Sequence, residues 1–171
     1  MKNSIFILFL TSLLFANSSG PNAGHANNAP NLNNCTSCHS GTANTGDGSV
    51  SFAGLPESYV PGTTYEITVT VDGTGGSGYG FQAIAQAGNT PAGNIALNAS
   101  SSQAEMNGDY IQQSTPTTSG SWVFDWIAPS SDVGDVIFSA SGLAANYPSS
   151  NAGDEVYTSA IVIPALVPAD V

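Results

Sequence analysis

The sequence predicts an all-β protein, an antiparallel β-sandwich of about seven or eight short strands preceded by an irregular arm. Apolar and polar residues alternate in short runs from Ser49 onward, which is the pattern of strands with one buried face. Glycine, proline and asparagine separate these runs and are typical of turns. No helical periodicity follows the first 18 residues. A chain of 171 residues is long enough for one domain with its own apolar core.

Residues 1–18 have the pattern of a signal peptide. Lys2 supplies a basic start, Ile5 to Ala16 form an apolar stretch, and small residues such as Ser18 follow, which places the expected cleavage point between about 16 and 20. A membrane-spanning helix needs ~20 apolar residues, and this stretch is shorter. We therefore expect no transmembrane segment and an exported protein, located in the periplasm, at the cell surface or outside the cell.

Residues 19–48 form the expected arm, which is rich in Asn, Gly, Pro and Ala and lacks periodicity. It contains Cys35-Thr36-Ser37-Cys38-His39, the C-x-x-C-H pattern at which c-type haem is attached. In such a site both cysteines add to the porphyrin vinyl groups and the histidine is the proximal iron ligand. The arm therefore predicts one covalent haem c on Cys35 and Cys38, with His39 bound to the iron.

The same residues have other interpretations. Cys35 and Cys38 also suit a disulfide in a secreted protein or a redox pair, although no βαβ pattern surrounds them. A zinc site would have to use both cysteines with His39 and His25, all within fifteen residues.

The sixth ligand of a haem iron has two candidates in the sequence. His25 is the only other histidine, and it lies in the same arm, close enough to fold over the opposite face of the porphyrin. Met106 is the only methionine after Met1 and is the weaker candidate. A site without a sixth protein ligand is the third alternative.

The sandwich is expected over residues 49–164, and its first strands are well marked. Ser49 to Ala53 form the first, and residues 65–72 form the clearest, with Tyr65, Ile67 and Val69 on one face. A second alternating run covers residues 79–85, and the glycine-rich connector before it predicts a hairpin between the two. The connector also matches G-x-G-x-x-G, but no helix follows it, so we interpret it as a loop.

The later strands are less regular. Residues 94–98 and 109–112 are short candidates, joined by a polar loop that contains Met106. Clear alternation returns at residues 122–126 and 136–140, and a long loop is expected from Gly142. The last strand runs over residues 156–163 and is followed by Pro164, which leaves 165–171 as a short tail. The predicted core is Tyr65, Ile67, Val69, Phe81, Trp122, Phe124, Trp126, Val136 and Phe138.

The charge balance limits the function classes. The chain has twelve acidic residues and one basic residue, Lys2, which leaves with the signal peptide. Nucleic acids and anionic membranes are therefore excluded as electrostatic partners, and a protein partner should present a basic docking surface. Aspartates in expected loops also suggest a calcium site, because Ca²⁺ prefers oxygen ligands. These aspartates are Asp47, Asp72, Asp132, Asp135 and Asp154.

Several segments together resemble the secreted bacterial reelin-like domains often labelled choice-of-anchor V. The segments are Gly20-Pro21, the C-x-x-C-H motif, and residues 59–65, 80–82, 122–129, 134–138 and 153–158. The resemblance covers most of the chain after the signal peptide. It implies an immunoglobulin-like β-sandwich, export, and an N-terminal haem-type motif.

Two features depart from that family. Its members usually carry a C-terminal anchor after the last strand, whereas only residues 164–171 follow here. They also tend to have a histidine, a plausible distal haem ligand, after the Tyr-Ile of the middle strand. This chain has Gln112 and Gln113 after Tyr110-Ile111.

These observations predict an exported mono-haem electron carrier with a redox partner protein. The alternative is a secreted or cell-surface interaction or structural β-sandwich with a Cys35–Cys38 disulfide and no haem. An enzyme is not expected, because both histidines lie in the arm and the chain has no arginine to assist peroxide chemistry. The sequence leaves the oligomeric state open.

Overall fold

The structure, a computed structural model, describes residues 19–74, 76–146 and 151–166. The expected signal peptide and most of the expected tail lie outside the described residues. Within them the chain forms ten strands and one turn of 3-10 helix. The elements are the 3-10 turn Cys35–Ser37, β1 Ser49–Ala53, β2 Thr64–Asp72, β3 Gly78–Ala87, β4 Thr90–Pro91, β5 Asn94–Ala96, β6 Ala104–Asn107, β7 Tyr110–Gln113, β8 Ser121–Ile127, β9 Val136–Ala145 and β10 Glu155–Ile163.

The strands form two antiparallel sheets. One has the order β1-β2-β8-β5, and the other has the order β10-β9-β3-β7-β6, with β4 paired to β3. Each sheet buries one face against the other, as the alternating runs require. The predicted all-β antiparallel sandwich is confirmed.

The predicted hairpin between β2 and β3 is wrong. β2 pairs with β1 and β8, whereas β3 pairs with β4, β7 and β9 in the other sheet. The glycine-rich connector between them therefore crosses from one layer to the other. Alternation identifies the face of a strand that is buried, but two strands facing the same core show the same alternation whether or not they are neighbours.

Two other segments are more regular than the sequence indicates. Residues expected to form a polar loop make β6, which pairs with β7 so that Met106 lies opposite Ile111. β9 continues through Gly142 to Ala145. A Cβ atom on Gly142 would lie 2.6 Å from a methyl group of Val71 in the opposite sheet, so this position packs too closely for any other residue.

The core is built around the aromatic face of β8. Trp122, Phe124 and Trp126 are at most 1% exposed. Trp126 packs edge-on against Phe138, with ring centroids 4.8 Å apart, and stacks with Tyr65. All predicted core residues are buried except Tyr65, which is half-buried. Tyr59 and Tyr157 also belong to the core but were not predicted.

Candidate functional site

The outer face of the β10-β9-β3-β7-β6 sheet carries a row of polar side chains, one from each strand. Consecutive members are directly opposite each other in the strand register. We call it the polar row, and its members are Glu105, Gln112, Gln82, Ser141 and Thr158. Residues next to them in the chain, such as Phe81 and Ala140, face the core. The row therefore crosses the sheet perpendicular to its strands.

The arm lies along this polar row and is bound to it by hydrogen bonds. Asn22 and His25 contact Gln82, Cys35 contacts Ser141, and Asn44 contacts Thr158. An arm without regular secondary structure needs partners for its backbone N–H and C=O groups. Side chains of the sheet supply several of them.

The side chain of Gln82 makes three hydrogen bonds. Its Oε1 accepts the backbone N–H of His25 at 2.6 Å. Its Nε2 donates to the carbonyl oxygen of Asn22 at 3.1 Å and to Oε1 of Gln112 at 2.8 Å. Gln82 is fully buried, so these bonds replace those that water would otherwise make.

The first three residues of the C-x-x-C-H motif form the one 3-10 turn among the described residues. Oδ1 of Asn34 accepts the backbone N–H of Thr36 at 2.9 Å, as is typical of a residue that precedes a helical turn. The carbonyl oxygen of Cys35 accepts the N–H groups of Cys38 and His39. This turn places Cys35 against the sheet and leaves Cys38 exposed.

Cys35 is held by Ser141 of β9. Its backbone N–H donates to Oγ of Ser141 at 3.1 Å, and the Ser141 hydroxyl donates to Sγ of Cys35 at 3.1 Å. Burial raises the pKa of the Cys35 thiol to about 11, although the Ser141 hydrogen bond acts in the opposite direction. This thiol is therefore protonated and poorly nucleophilic at neutral pH.

The disulfide of the alternative interpretation is absent from the structure. Both cysteines are free thiols. The reason is geometric: the side chain of Cys35 is directed to Ser141 and that of Cys38 is exposed. The Cys35 sulfur instead accepts a hydrogen bond from the Ser141 hydroxyl.

His39 is oriented by a carboxylate. Its Nδ1 lies 2.7 Å from Oδ2 of Asp154, and the two side chains are 13% and 3% exposed. An ionised carboxylate only accepts hydrogen bonds, so Nδ1 carries the proton in this contact. In the neutral ring the lone pair is then on Nε2, the nitrogen that a metal ion would use.

His25 has the same tautomer for a different reason. Its Nδ1 lies 2.9 Å from the carbonyl oxygen of Asn22, which only accepts, and Nε2 is again left with the lone pair. The backbone of His25 is bound to Gln82, which is directly opposite Ser141, the residue that holds Cys35. The structure therefore brings His25 and the motif to neighbouring positions on one face.

Met106 lies elsewhere. It packs against the core from β6, opposite the buried Ile111. Glu105, the residue before it, belongs to the polar row on the opposite face of the sheet and accepts a hydrogen bond from Gln112. The sheet thus separates Met106 from His39, and the structure does not bring the two together.

The described part of the chain contains no group of three or more His, Cys, Asp or Glu side chains arranged to hold a metal ion. Among the aspartates considered for calcium, Asp154 binds His39, and Asp132 accepts the backbone N–H of Gly134 at 2.7 Å. Calcium remains a prediction from the sequence.

Sequence reasoning missed the partners of the motif. Asp154 is 115 residues from His39, and Ser141 is 106 residues from Cys35. A weak signal was present, because Gln82 and Ser141 are polar residues at outward positions of long apolar strands. Outward polar residues usually face water, and only the arm gives them a different role.

The described residues form no helix with the length and hydropathy that crossing a membrane requires.

Comparisons with known proteins show the fold. No family model and no curated protein matches the chain. The reelin-N domain of F-spondin is a similar solved structure, with 21% identity over 77% of this chain and 95% of that domain and a TM-score of 0.56. The human F-spondin reeler domain is 25% identical over 72% of this chain and 94% of that one, with a TM-score of 0.51. The chain therefore has the β-sandwich fold of a reelin-like domain.

Proposed function

We propose that the chain is an exported interaction module, a reelin-like β-sandwich that binds a basic protein partner outside the cytoplasm. The similarity to the human F-spondin reeler domain, at 25% identity over most of both chains, is the observation that carries this proposal. The signal-peptide pattern of residues 1–18 supports export. The absence of lysine and arginine after Lys2 supports a partner with a basic surface.

A pair of carboxylates on the other sheet is the surface we expect the partner to contact. Glu66 of β2 and Asp125 of β8 are directly opposite each other on the solvent face of the β1-β2-β8-β5 sheet. Nδ2 of Asn98 bridges them, at 3.3 Å from Glu66 and 2.7 Å from Asp125. Like charges at opposite register positions are unfavourable, and a cationic group of a partner would relieve the repulsion.

This proposal is tested by a binding experiment. The purified mature chain is immobilised on a support, and envelope proteins from the organism that encodes it are passed over it. We expect retention of a specific basic protein, with at least tenfold weaker binding to the Glu66→Gln/Asp125→Asn variant. Glu57→Gln/Asp109→Asn, in which both original residues are exposed, removes the same charge and should bind normally. Equal loss with both variants would mean that only net charge matters and would contradict a specific module.

A second candidate function is electron transfer by one covalent haem c, and the orientation of His39 favours it. Cys35 and Cys38 would attach the group, and His39 would bind the iron through Nε2. His25 would be preferred over Met106 as a second iron ligand, because its Nε2 is available and it lies on the same face of the sheet as His39. Bound haem supplies one-electron chemistry, and the protein supplies its ligands and attachment.

The residues fit this group with one rearrangement. Cys38 is exposed, whereas Sγ of Cys35 must leave the hydroxyl of Ser141 to form a thioether. Leu32 is 58% exposed beside the motif and offers apolar surface for a porphyrin.

Haem staining on a denaturing gel separates the two candidates. The chain is exported in cells that contain c-type haem maturation proteins and is compared with Cys35→Ala/Cys38→Ala. Haem stain and a mass increase of one haem in the native chain, both lost in the variant, would establish covalent haem attachment and support the electron carrier. Colourless protein with its two thiols free would leave the interaction module alone.

A further inference from the structure

We propose that Asp154 is a positioning residue for His39: it fixes the ring so that Nε2 is presented to iron, and its charge lowers the reduction potential of the bound haem. This inference rests on the haem-binding candidate. It adds a residue 115 positions from His39 to the predicted site.

The carboxylate is itself held in place. Oδ1 of Asp154 accepts the backbone N–H of Asn146 at 2.9 Å, while Oδ2 faces Nδ1 of His39 at 2.7 Å. The side chain of Asp154 is 3% exposed, so water does not compete for either oxygen. A buried, charge-assisted hydrogen bond of this length has a strong directional preference. The ring of His39 is therefore held in one orientation before any ligand binds.

No positive side chain shares the charge of Asp154. The chain has no lysine or arginine beyond Lys2, and within the described residues Asp154 accepts hydrogen bonds from one backbone N–H group and from the imidazole of His39. The negative charge therefore acts mainly on the N–H of His39. An imidazole that donates to a carboxylate becomes a stronger electron donor to a metal, and this favours ferric over ferrous iron.

The position of Asp154 follows from the fold. It immediately precedes β10, and Glu155 is opposite Ala144 near the end of β9. Backbone and side-chain contacts from Asn151 to Ser40 and Cys38 bring the motif to the same corner.

The experiment compares the wild-type chain with Asp154→Asn, which keeps the shape of the side chain but removes its charge. Asp132→Asn is the matched control, because Asp132 also accepts a backbone N–H but lies on an exposed loop. Midpoint potentials are measured by spectroelectrochemistry on the haem-loaded proteins. Nitrogen NMR of the haem-free proteins reports which ring nitrogen of His39 is protonated.

In wild type we expect the proton of the His39 ring on Nδ1. In Asp154→Asn we expect the reduction potential of the haem to shift in the positive direction, which changes the ferric-to-ferrous ratio on the order of tenfold. The Asp132→Asn potential should equal that of wild type. An unchanged potential in a haem-loaded Asp154→Asn variant, or Nε2–H in wild type, overturns the positioning role and leaves haem binding intact. Wild-type protein that takes up no haem overturns the haem candidate and this inference with it.

Discussion

At the scale of single residues, the three chemical groups of the motif have three different environments. Cys35 is bound to Ser141, Cys38 is exposed, and His39 is bound to Asp154. A continued 3-10 helix would bring residues i and i+3 to the same side, but the turn ends at Ser37. Cys38 follows it with φ −123° and is exposed, whereas Cys35 contacts Ser141. The motif is therefore chemically asymmetric, although the sequence presents its cysteines as equivalent.

The thiols should differ in reactivity and in their effect on stability. Since burial raises the pKa of Cys35 from 9.0 to about 11, alkylation at pH 8 should modify Cys38 and spare Cys35 until the protein unfolds. Above pH 9 the unfolded chain loses the Cys35 proton before the folded chain does. The free energy of unfolding should therefore be unaffected by this group below pH 9 and fall between pH 9 and 11.

Urea unfolding of wild type and Cys35→Ala at pH 8 and pH 10.5 measures this effect. The decrease between the two pH values should be larger for wild type. An equal decrease in both proteins would show that Cys35 does not have the raised pKa.

At the scale of elements, the unusual strand is β3, because both of its faces are buried. Phe81, Ala83 and Ala85 face the other sheet, while Gln82 and Gln86 lie beneath the arm. The arm also protects the edge of the larger sheet, since the backbone N–H of Asn44 donates to the carbonyl oxygen of Val156 in β10. An exposed strand edge invites pairing with other chains, and this contact covers part of it.

Gln82→Leu should release the arm. The substitution leaves the backbone groups of His25 and Asn22 without their partner, and we expect a loss of about 1–3 kcal/mol in the free energy of unfolding. Thermolysin is a suitable probe, because it cleaves before large apolar residues, and Leu32 of the arm is 58% exposed.

Cleavage at Leu32 should be at least several times faster in Gln82→Leu than in wild type. Gln103→Leu is the control, because Gln103 is exposed and immediately precedes β6 of the same sheet. This variant should be cleaved at the wild-type rate. Similar rates for all three proteins would show that Gln82 does not hold the arm.

At the scale of the whole molecule, the dominant electrostatic feature is unbalanced negative charge. The chain has a net charge of −11 at pH 7 including Lys2, and no lysine or arginine follows Lys2 to balance it. Such a surface repels itself in the compact state. The fold is held together by apolar burial between the sheets and by uncharged polar contacts such as those of Gln82 and Ser141.

Added salt should consequently stabilise the protein. Screening shortens the range of repulsion from ~30 Å at 0.01 M to ~8 Å at 0.15 M ionic strength, so the melting temperature should rise by a few degrees between these conditions. Differential scanning calorimetry in sodium chloride measures the change. A melting temperature that falls with salt would mean that attractive ion pairs outweigh the repulsion.

The sequence by itself determined the fold class, the buried face of most strands and the identity of the motif. Alternation with a period of two is a local property, so Trp122, Phe124 and Trp126 are recognisable as core residues without knowledge of their neighbours. The C-x-x-C-H pattern is also local.

Only the tertiary structure decided which distant residues meet. It separated β2 and β3 into different sheets, placed Met106 on the core side of β6, and joined His39 to Asp154 across 115 residues. Strand order and loop paths depend on contacts between segments far apart in the chain, and alternation within a segment contains no information about them. The chemistry of the motif depends on those contacts, because Ser141 and Asp154 set the state of its thiol and its imidazole.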